Sequence, residues 1–141
     1  MPTALEAVHE YDATVSTLDL RAILSCYGEP CLFISPQAVV SAPNHAALTE
    51  FLTGFIDAMR AKGYGRSEFV QPHVTTLGES DALVQGVAVR YTAAGSEMER
   101  ITYAYLMHRR DGGWKIATLV EAGRPTQDRT SSGTTLFTRS T

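Results

Sequence analysis

Apolar residues recur at helical spacing in three segments of the first half of the chain. The first segment has an apolar residue at every third or fourth position, with acidic residues beside the stripe: Ala4, Val8, Tyr11, Val15 and Leu18, flanked by Glu6, Glu10 and Asp12. A short second helix is predicted after Asp19, which can cap a helix N-terminus. The third stripe starts after Asn44 and ends at Lys62-Gly63, and it predicts the longest helix.

The remaining elements are predicted to be strands. Residues 31–35 and 38–42 form two short apolar runs around Ser35-Pro36. From Arg66 onward apolar and polar positions alternate, which predicts strands at 67–77 and 82–92. Two more strands are predicted in ITYAYLMHRRDGGWKIATLVEAG, residues 101–123, around the turn DGG. Pro72 indicates an edge position or a bulge. The pattern therefore predicts an antiparallel meander of four long strands.

Length and charge narrow the class of protein. At 141 residues the chain fits a single domain with its own core. Its formal net charge is -3, so we expect no basic surface that collects phosphates and no nucleic-acid partner. No apolar run approaches the ~20 residues that cross a bilayer, so we expect no membrane partner.

The N-terminus and the cysteines add three expectations. The residues MPTALEAVHEYDATV lack a cationic segment before an apolar block, so we expect no signal peptide and a cytoplasmic location. Cys26 and Cys31 are too few for a disulfide framework in a chain of this length. Neither they nor the four histidines show zinc-ligand spacing. We therefore expect reduced thiols, no metal site and no cofactor.

The composition changes after Gly123. Residues 124–141, RPTQDRTSSGTTLFTRST, are rich in Ser and Thr and hold few large apolar residues. We therefore predict one domain at residues 1–123 and a polar C-terminal tail at 124–141.

The order of elements resembles a known superfamily. The segment that runs from Tyr11 through Leu18-Asp19-Leu20 to Phe33, and the hairpin DGGWKIA at 111–117, resemble the nuclear transport factor 2-like superfamily, in its SnoaL-like and ketosteroid isomerase-like branches. The resemblance implies an α+β fold in which a curved, cone-shaped antiparallel sheet packs on three helices from the N-terminal half. It also implies a pocket for a small-molecule ligand inside the cone and a homodimer formed through the convex face of the sheet.

The same resemblance, combined with strand alternation, suggests which residues face the pocket. The ligand-binding set is Ser35, Gln85, Val87, Val89, Tyr91, Tyr103, Met107 and Leu119. Tyr11 falls where the isomerase branch keeps an oxyanion-binding hydroxyl, and Tyr105 falls near its second donor. Ser35 falls where that branch keeps its general-base aspartate, and a serine cannot replace a carboxylate in that role. Steroid isomerisation is therefore disfavoured, and Glu121 is the candidate acid/base beside Tyr11 and Tyr105.

Three functions remain open at this point. The first is a cofactor-free enzyme for a small apolar or carbonyl-bearing molecule, such as an isomerase, cyclase, dehydratase or hydrolase. The second is a pocket that binds such a ligand without converting it. The tyrosines can also be ordinary core residues with no role in ligand binding. The third is a dimeric interaction domain with a filled cone and an apolar convex face, for which the candidates are Val84, Ala88, Thr102, Ala104 and Leu106.

Overall fold

The second and third helices begin at the predicted capping residues. The computed structural model describes residues 2–123, so the predicted tail lies outside the described residues. Helix α1 spans Ala4–Val15, α2 spans Leu20–Leu24 and α3 spans His45–Ala61. Asp19 caps α2, Asn44 caps α3, and Thr3 with Glu6 forms a capping box on α1. Across residues 2–123 there is no helix both long and apolar enough to cross a membrane.

Six strands form one curved sheet that does not close. They are β1 (Tyr27–Ile34), β2 (Val39–Ala42), β3 (Tyr64–Thr76), β4 (Asp81–Thr92), β5 (Glu97–Arg110) and β6 (Gly113–Gly123), in the spatial order β2-β1-β6-β5-β4-β3. The last four form the predicted antiparallel meander, whereas β1 pairs with β6 in parallel. The α+β fold is thus confirmed, with one parallel pair in an otherwise antiparallel sheet.

The core lies between the helices and the inner face of the sheet, the face that the helices cover. Tyr103, Tyr105 and Met107 of β5 all belong to it, and Tyr105 and Met107 are only 1% exposed. Leu48 and Leu52 bring the apolar stripe of α3 to the same core. The inward face predicted for β5 is therefore the face that the structure shows.

The inward face predicted for β4 is wrong, and a bulge is the reason. Near the turn between β4 and β5, Tyr91 pairs with Glu97. If this register continued, the odd-numbered residues of both strands would lie on the same face of the sheet. The register then shifts by one residue between Arg90 and Tyr91, and Gly86 lies opposite Tyr103. Directly opposed residues share a face, and a one-residue slip exchanges the faces of a strand.

The even-numbered residues of β4 consequently face the core. They are Ala82, Val84, Gly86, Ala88 and Arg90, and each is buried. A Cβ at Gly86 would lie 2.4 Å from the Phe69 ring, so this glycine makes room for an aromatic side chain on the inner face. Val84 and Ala88, expected on the convex face, are core residues, while Thr102, Ala104 and Leu106 stay partly exposed on the outer face.

A second bulge lies at the proline of β3. The β3–β4 register shifts between Val70 and His73, across Gln71-Pro72, and Gln71 has a φ of 54°. Strand β3 is also an edge strand of the sheet. Both the edge position and the bulge that Pro72 indicated are therefore present.

Candidate functional site

A cavity of about 360 Å³ lies between α1, α3 and the inner face of the sheet. Its size is at the small end of the range for ligand pockets. Seven aromatic side chains line it: Tyr11, Tyr27, Phe33, Phe51, Phe55, Tyr103 and Tyr105. The lining residues Ala38, Phe51 and Lys62 are exposed to solvent and mark its rim. The cavity is therefore lined largely by aromatic side chains.

Asp12 is the buried carboxyl of this cavity. It follows Val8 by four residues and precedes Val15 by three, so α1 carries it on the apolar face. The residue is 5% exposed, and its Oδ2 atom has no hydrogen-bond partner among the described residues. Burial raises the pKa of Asp12 from 3.8 to about 7, and the nearby charge of Arg90 opposes that rise. A carboxyl with such a pKa can take up and release protons near neutral pH.

Arg90 lies beside Asp12 in a fixed network. It donates to Glu99 Oε2 at 2.5 Å and to the Tyr103 hydroxyl at 2.8 Å. The centre of its guanidinium lies 5.4 Å from the centroid of the Phe55 ring. The side chain is 8% exposed, and the Nε atom has no partner among residues 2–123. The network holds one positive charge at a defined place in the cavity wall.

The phenols form a second group. The hydroxyls of Tyr11 and Tyr27 share a short hydrogen bond, and the Tyr11 ring packs edge-on against Tyr27 and Tyr105. Burial raises the pKa of all three phenols above the ordinary value, and Asp12 adds to the rise at Tyr11 and Tyr105. These hydroxyls therefore keep their protons at neutral pH and act as hydrogen-bond donors.

Six of the eleven predicted site residues line the cavity. They are Tyr11, Ser35, Tyr103, Tyr105, Leu119 and Glu121. Glu121 is half-buried and lies opposite Tyr103 in the β5–β6 register. The hydroxyl of Ser35 accepts from the backbone N–H groups of Gln37 and Ala38, so it stabilises the turn between β1 and β2.

The other five residues lie elsewhere. The bulge turns Gln85, Val87, Val89 and Tyr91 away from the cavity. Gln85 is exposed, and the Tyr91 hydroxyl donates to Glu68. Met107 does face the core, yet it lies beyond the cavity, next to Ile116 across the β5–β6 register.

Among the cavity residues that were not identified from the sequence are three charged ones, Asp12, Arg90 and Glu99. Asp12 was assigned to the polar flank of α1, although its spacing from Val8 and Val15 places it within the apolar stripe. Arg90 interrupts an apolar strand, and such a charge in a buried strand indicates a partner. That partner is Glu99, nine residues later across the hairpin. The spacing of Asp12 and the position of Arg90 are both visible in the sequence, and each could have identified its residue as a candidate for burial.

No group of three or more potential metal ligands occurs among the described part of the chain, residues 2–123. The carboxyls of the cavity are Asp12, Glu99 and Glu121, and Glu99 already binds Arg90. The described residues therefore bring carboxyl, guanidinium and phenol groups together in the cavity.

Comparisons with known proteins agree with the architecture. The model of the family described as NTF2-like protein (DUF6841) matches residues 4–124, which is most of the chain. None of the curated proteins that were compared matches it.

Solved structures share the fold at low sequence identity. An NTF2-like protein with a cystatin-like fold from Novosphingobium aromaticivorans is 17% identical, with a TM-score of 0.69 and coverage of 90% of this chain and 81% of that one. A candidate dehydratase from the NTF2-like family of Streptomyces avermitilis is 12% identical, with a TM-score of 0.65 and coverage of 85% and 92%. A ketosteroid isomerase-like protein from Erwinia carotovora atroseptica is 16% identical, with a TM-score of 0.59 and coverage of 85% and 92%. At these identities the likeness shows the fold alone.

Proposed function

The chain belongs to the NTF2-like protein (DUF6841) family, and we propose that its cavity is the active site of a cofactor-free enzyme that moves a proton within a small, largely apolar substrate. The substrate carries a carbonyl or hydroxyl group, and the reaction is of the isomerase, cyclase or dehydratase type. The observation that carries the proposal is the buried Asp12 carboxyl, whose pKa is about 7 and which lines an aromatic cavity.

The chemistry follows from the protonation states of the cavity groups. Ionised Asp12 takes a proton from the carbon next to a substrate carbonyl, and the electron pair of the broken C–H bond forms a C=C bond. Negative charge develops on the carbonyl oxygen, which accepts hydrogen bonds from the protonated phenols. One hydroxyl proton of the Tyr11–Tyr27 pair remains available, since the pair shares a single hydrogen bond. Where the substrate has a C=C bond adjacent to the deprotonated carbon, protonated Asp12 returns the proton to the far carbon of that bond, and the C=C bond moves next to the carbonyl.

Asp12 takes over the role that the sequence suggested for Glu121. Asp12 is 5% exposed and lies among Tyr11, Tyr105 and Arg90, whereas Glu121 is half-buried on β6. Exclusion of water strengthens the interaction between a carboxyl and its substrate, so the more deeply buried carboxyl is the better base. Glu121 remains a ligand-binding candidate.

Proton exchange tests the proposal without knowledge of the substrate. The protein is incubated in D₂O with a panel of apolar ketones and β-hydroxy ketones, and deuterium at the α-carbon is followed by NMR. We expect the wild type to accelerate exchange for at least one compound and Asp12→Asn to slow that exchange by about 100-fold or more. Asp57→Asn, at an exposed position of α3, should exchange like the wild type. Equal rates for Asp12→Asn and the wild type, or no acceleration across the panel, would favour a pocket that binds without turnover.

The outer face of the sheet supports the proposal of a homodimer. Leu83, Val87, Leu106 and Val120 are partly exposed there and form adjacent apolar positions on β4, β5 and β6. An apolar area on a sheet face is a common subunit interface. We expect native mass spectrometry to give twice the chain mass, and Leu106→Lys to give the single mass with an unchanged circular dichroism spectrum. Val74→Lys, at an exposed position of β3, is the matched control, and a monomeric wild type contradicts the proposal.

A further inference from the structure

Two carboxyls of the cavity lack a partner. Asp12 and Glu121 both line it, and neither side chain makes a hydrogen bond or ion pair with another residue in 2–123. The third carboxyl, Glu99, is bound by Arg90. Asp12 is more than nine-tenths buried, where an unpaired carboxylate is costly. The cavity therefore holds more carboxyl groups than its own cations neutralise.

The positively charged side chains of the cavity do not neutralise these carboxyl groups. The guanidinium of Arg90 already binds Glu99 and Tyr103 and lies over Phe55. Lys62 caps the C-terminal end of α3 at the exposed rim, where water screens its charge. Glu121 is consequently a carboxyl of the cavity without an oppositely charged partner among residues 2–123.

The aromatic walls of the cavity also favour a positively charged group. The faces of aromatic rings carry negative electrostatic potential and attract cations, most strongly where water is excluded. Two of the seven rings already contact a cation. The guanidinium of Arg90 lies 5.4 Å from the centroid of the Phe55 ring and 5.7 Å from that of the Tyr103 ring. The walls therefore favour a positive charge within the same space that the unpaired carboxyls face.

We propose that the ligand of this cavity carries a protonated amine on an apolar body, with Glu121 as the counter-ion of the amine. This inference rests on the proposed function, since it names the charge of the substrate of that site. Glu121 is placed opposite Tyr103 in the sheet, so the amine meets a carboxylate and a ring together. Asp12, deeper in the cavity, stays available for proton transfer.

Three ligands of matched size test the charge preference. They are 4-phenylbutylamine, 4-phenylbutan-1-ol and 4-phenylbutyrate, which are cationic, neutral and anionic at pH 7.5. Titration calorimetry measures the Kd of each for the full-length protein. We expect the amine to bind at least about tenfold more tightly than the alcohol, and the butyrate to bind most weakly. Equal affinity for amine and alcohol, tighter binding of the butyrate, or no binding of the amine overturns the inference.

Two charge-neutralising variants locate the counter-ion. Glu121→Gln should reduce the preference for the amine over the alcohol by about three- to tenfold. Glu50→Gln, which removes the same charge from an exposed position of α3, should keep the full preference. Loss of the preference in both variants, or in neither, contradicts the role of Glu121. Calorimetry needs no turnover, so the charge preference and the proton-transfer proposal can fail independently.

Discussion

Asp12→Asn is expected to make the protein more stable at pH 8 than the wild type, by about 2–4 kcal/mol, and to remove most of the pH dependence between pH 5 and pH 8. The pKa of Asp12 is about 7 in the folded chain against an ordinary value of 3.8. Between these values the folded state holds the proton more tightly than the unfolded chain does. The contribution of this group to stability is therefore complete below pH 3.8 and is lost as the pH rises toward 7, at about 1.4 kcal/mol per pH unit.

Urea unfolding at pH 5 and pH 8 measures this effect. The stability of Asp12→Asn relative to the wild type should grow by about 2–3 kcal/mol between the two values, because asparagine keeps the shape without the charge. Asp57→Asn removes a carboxyl from the exposed side of α3 and should follow the wild type at both values. Parallel pH dependence of Asp12→Asn and the wild type would mean that Asp12 is ionised in the folded protein at little cost.

Arg90→Met is expected to destabilise the fold by about 2–4 kcal/mol at pH 7. Methionine approximates the length of the side chain but leaves Glu99 and the Tyr103 hydroxyl without their donor. The attraction of Arg90 for ionised Asp12 disappears as well, so the pKa of Asp12 should rise further. Chemical denaturation at pH 7 measures the loss, and NMR titration of the Asp12 carboxyl carbon measures its pKa.

The control is a second arginine that also pairs with a glutamate but lies at the solvent-exposed surface. Arg100 pairs with Glu97 at 2.9 Å, and both side chains are about half exposed. Arg100→Met should cost much less stability than Arg90→Met, since exposed ion pairs contribute little. The double variant Arg90→Met with Glu99→Gln should recover part of the loss, because the unpaired carboxylate is then gone. A loss below about 1 kcal/mol for Arg90→Met would show that the buried network is not stabilising.

Most of the fold could be predicted because its signals are local. Capping residues such as Asp19 and Asn44 and the period of the apolar positions depend on neighbours in sequence. The parallel pairing of β1 with β6 joins segments about ninety residues apart, and no short pattern in either strand encodes it. Alternation placed the tyrosines of β5 on one face, and the resemblance to the superfamily suggested that this face is the inner one.

The site was harder to predict because it depends on register and on unusual burial. A bulge opposite Arg90 and Tyr91 adds a single residue, Met98, to β5, and alternation alone does not show where such a residue lies. Asp12 was assigned to solvent because acidic residues are rarely buried. Its burial depends on the sheet that closes over α1, so only the spacing from Val8 and Val15 indicated it.

The register shift in the β4–β5 hairpin also bears on how such a site changes during evolution. A one-residue insertion or deletion that slipped β4 along β5 beyond the bulge would exchange the two faces of β4, moving Arg90 to the outer surface and Val89 to the cavity. A single indel in this hairpin would thus replace the lining of the pocket without any substitution in it. Aligning distant relatives column by column across this hairpin can therefore pair a pocket residue in one protein with a surface residue in another, even where the folds superimpose.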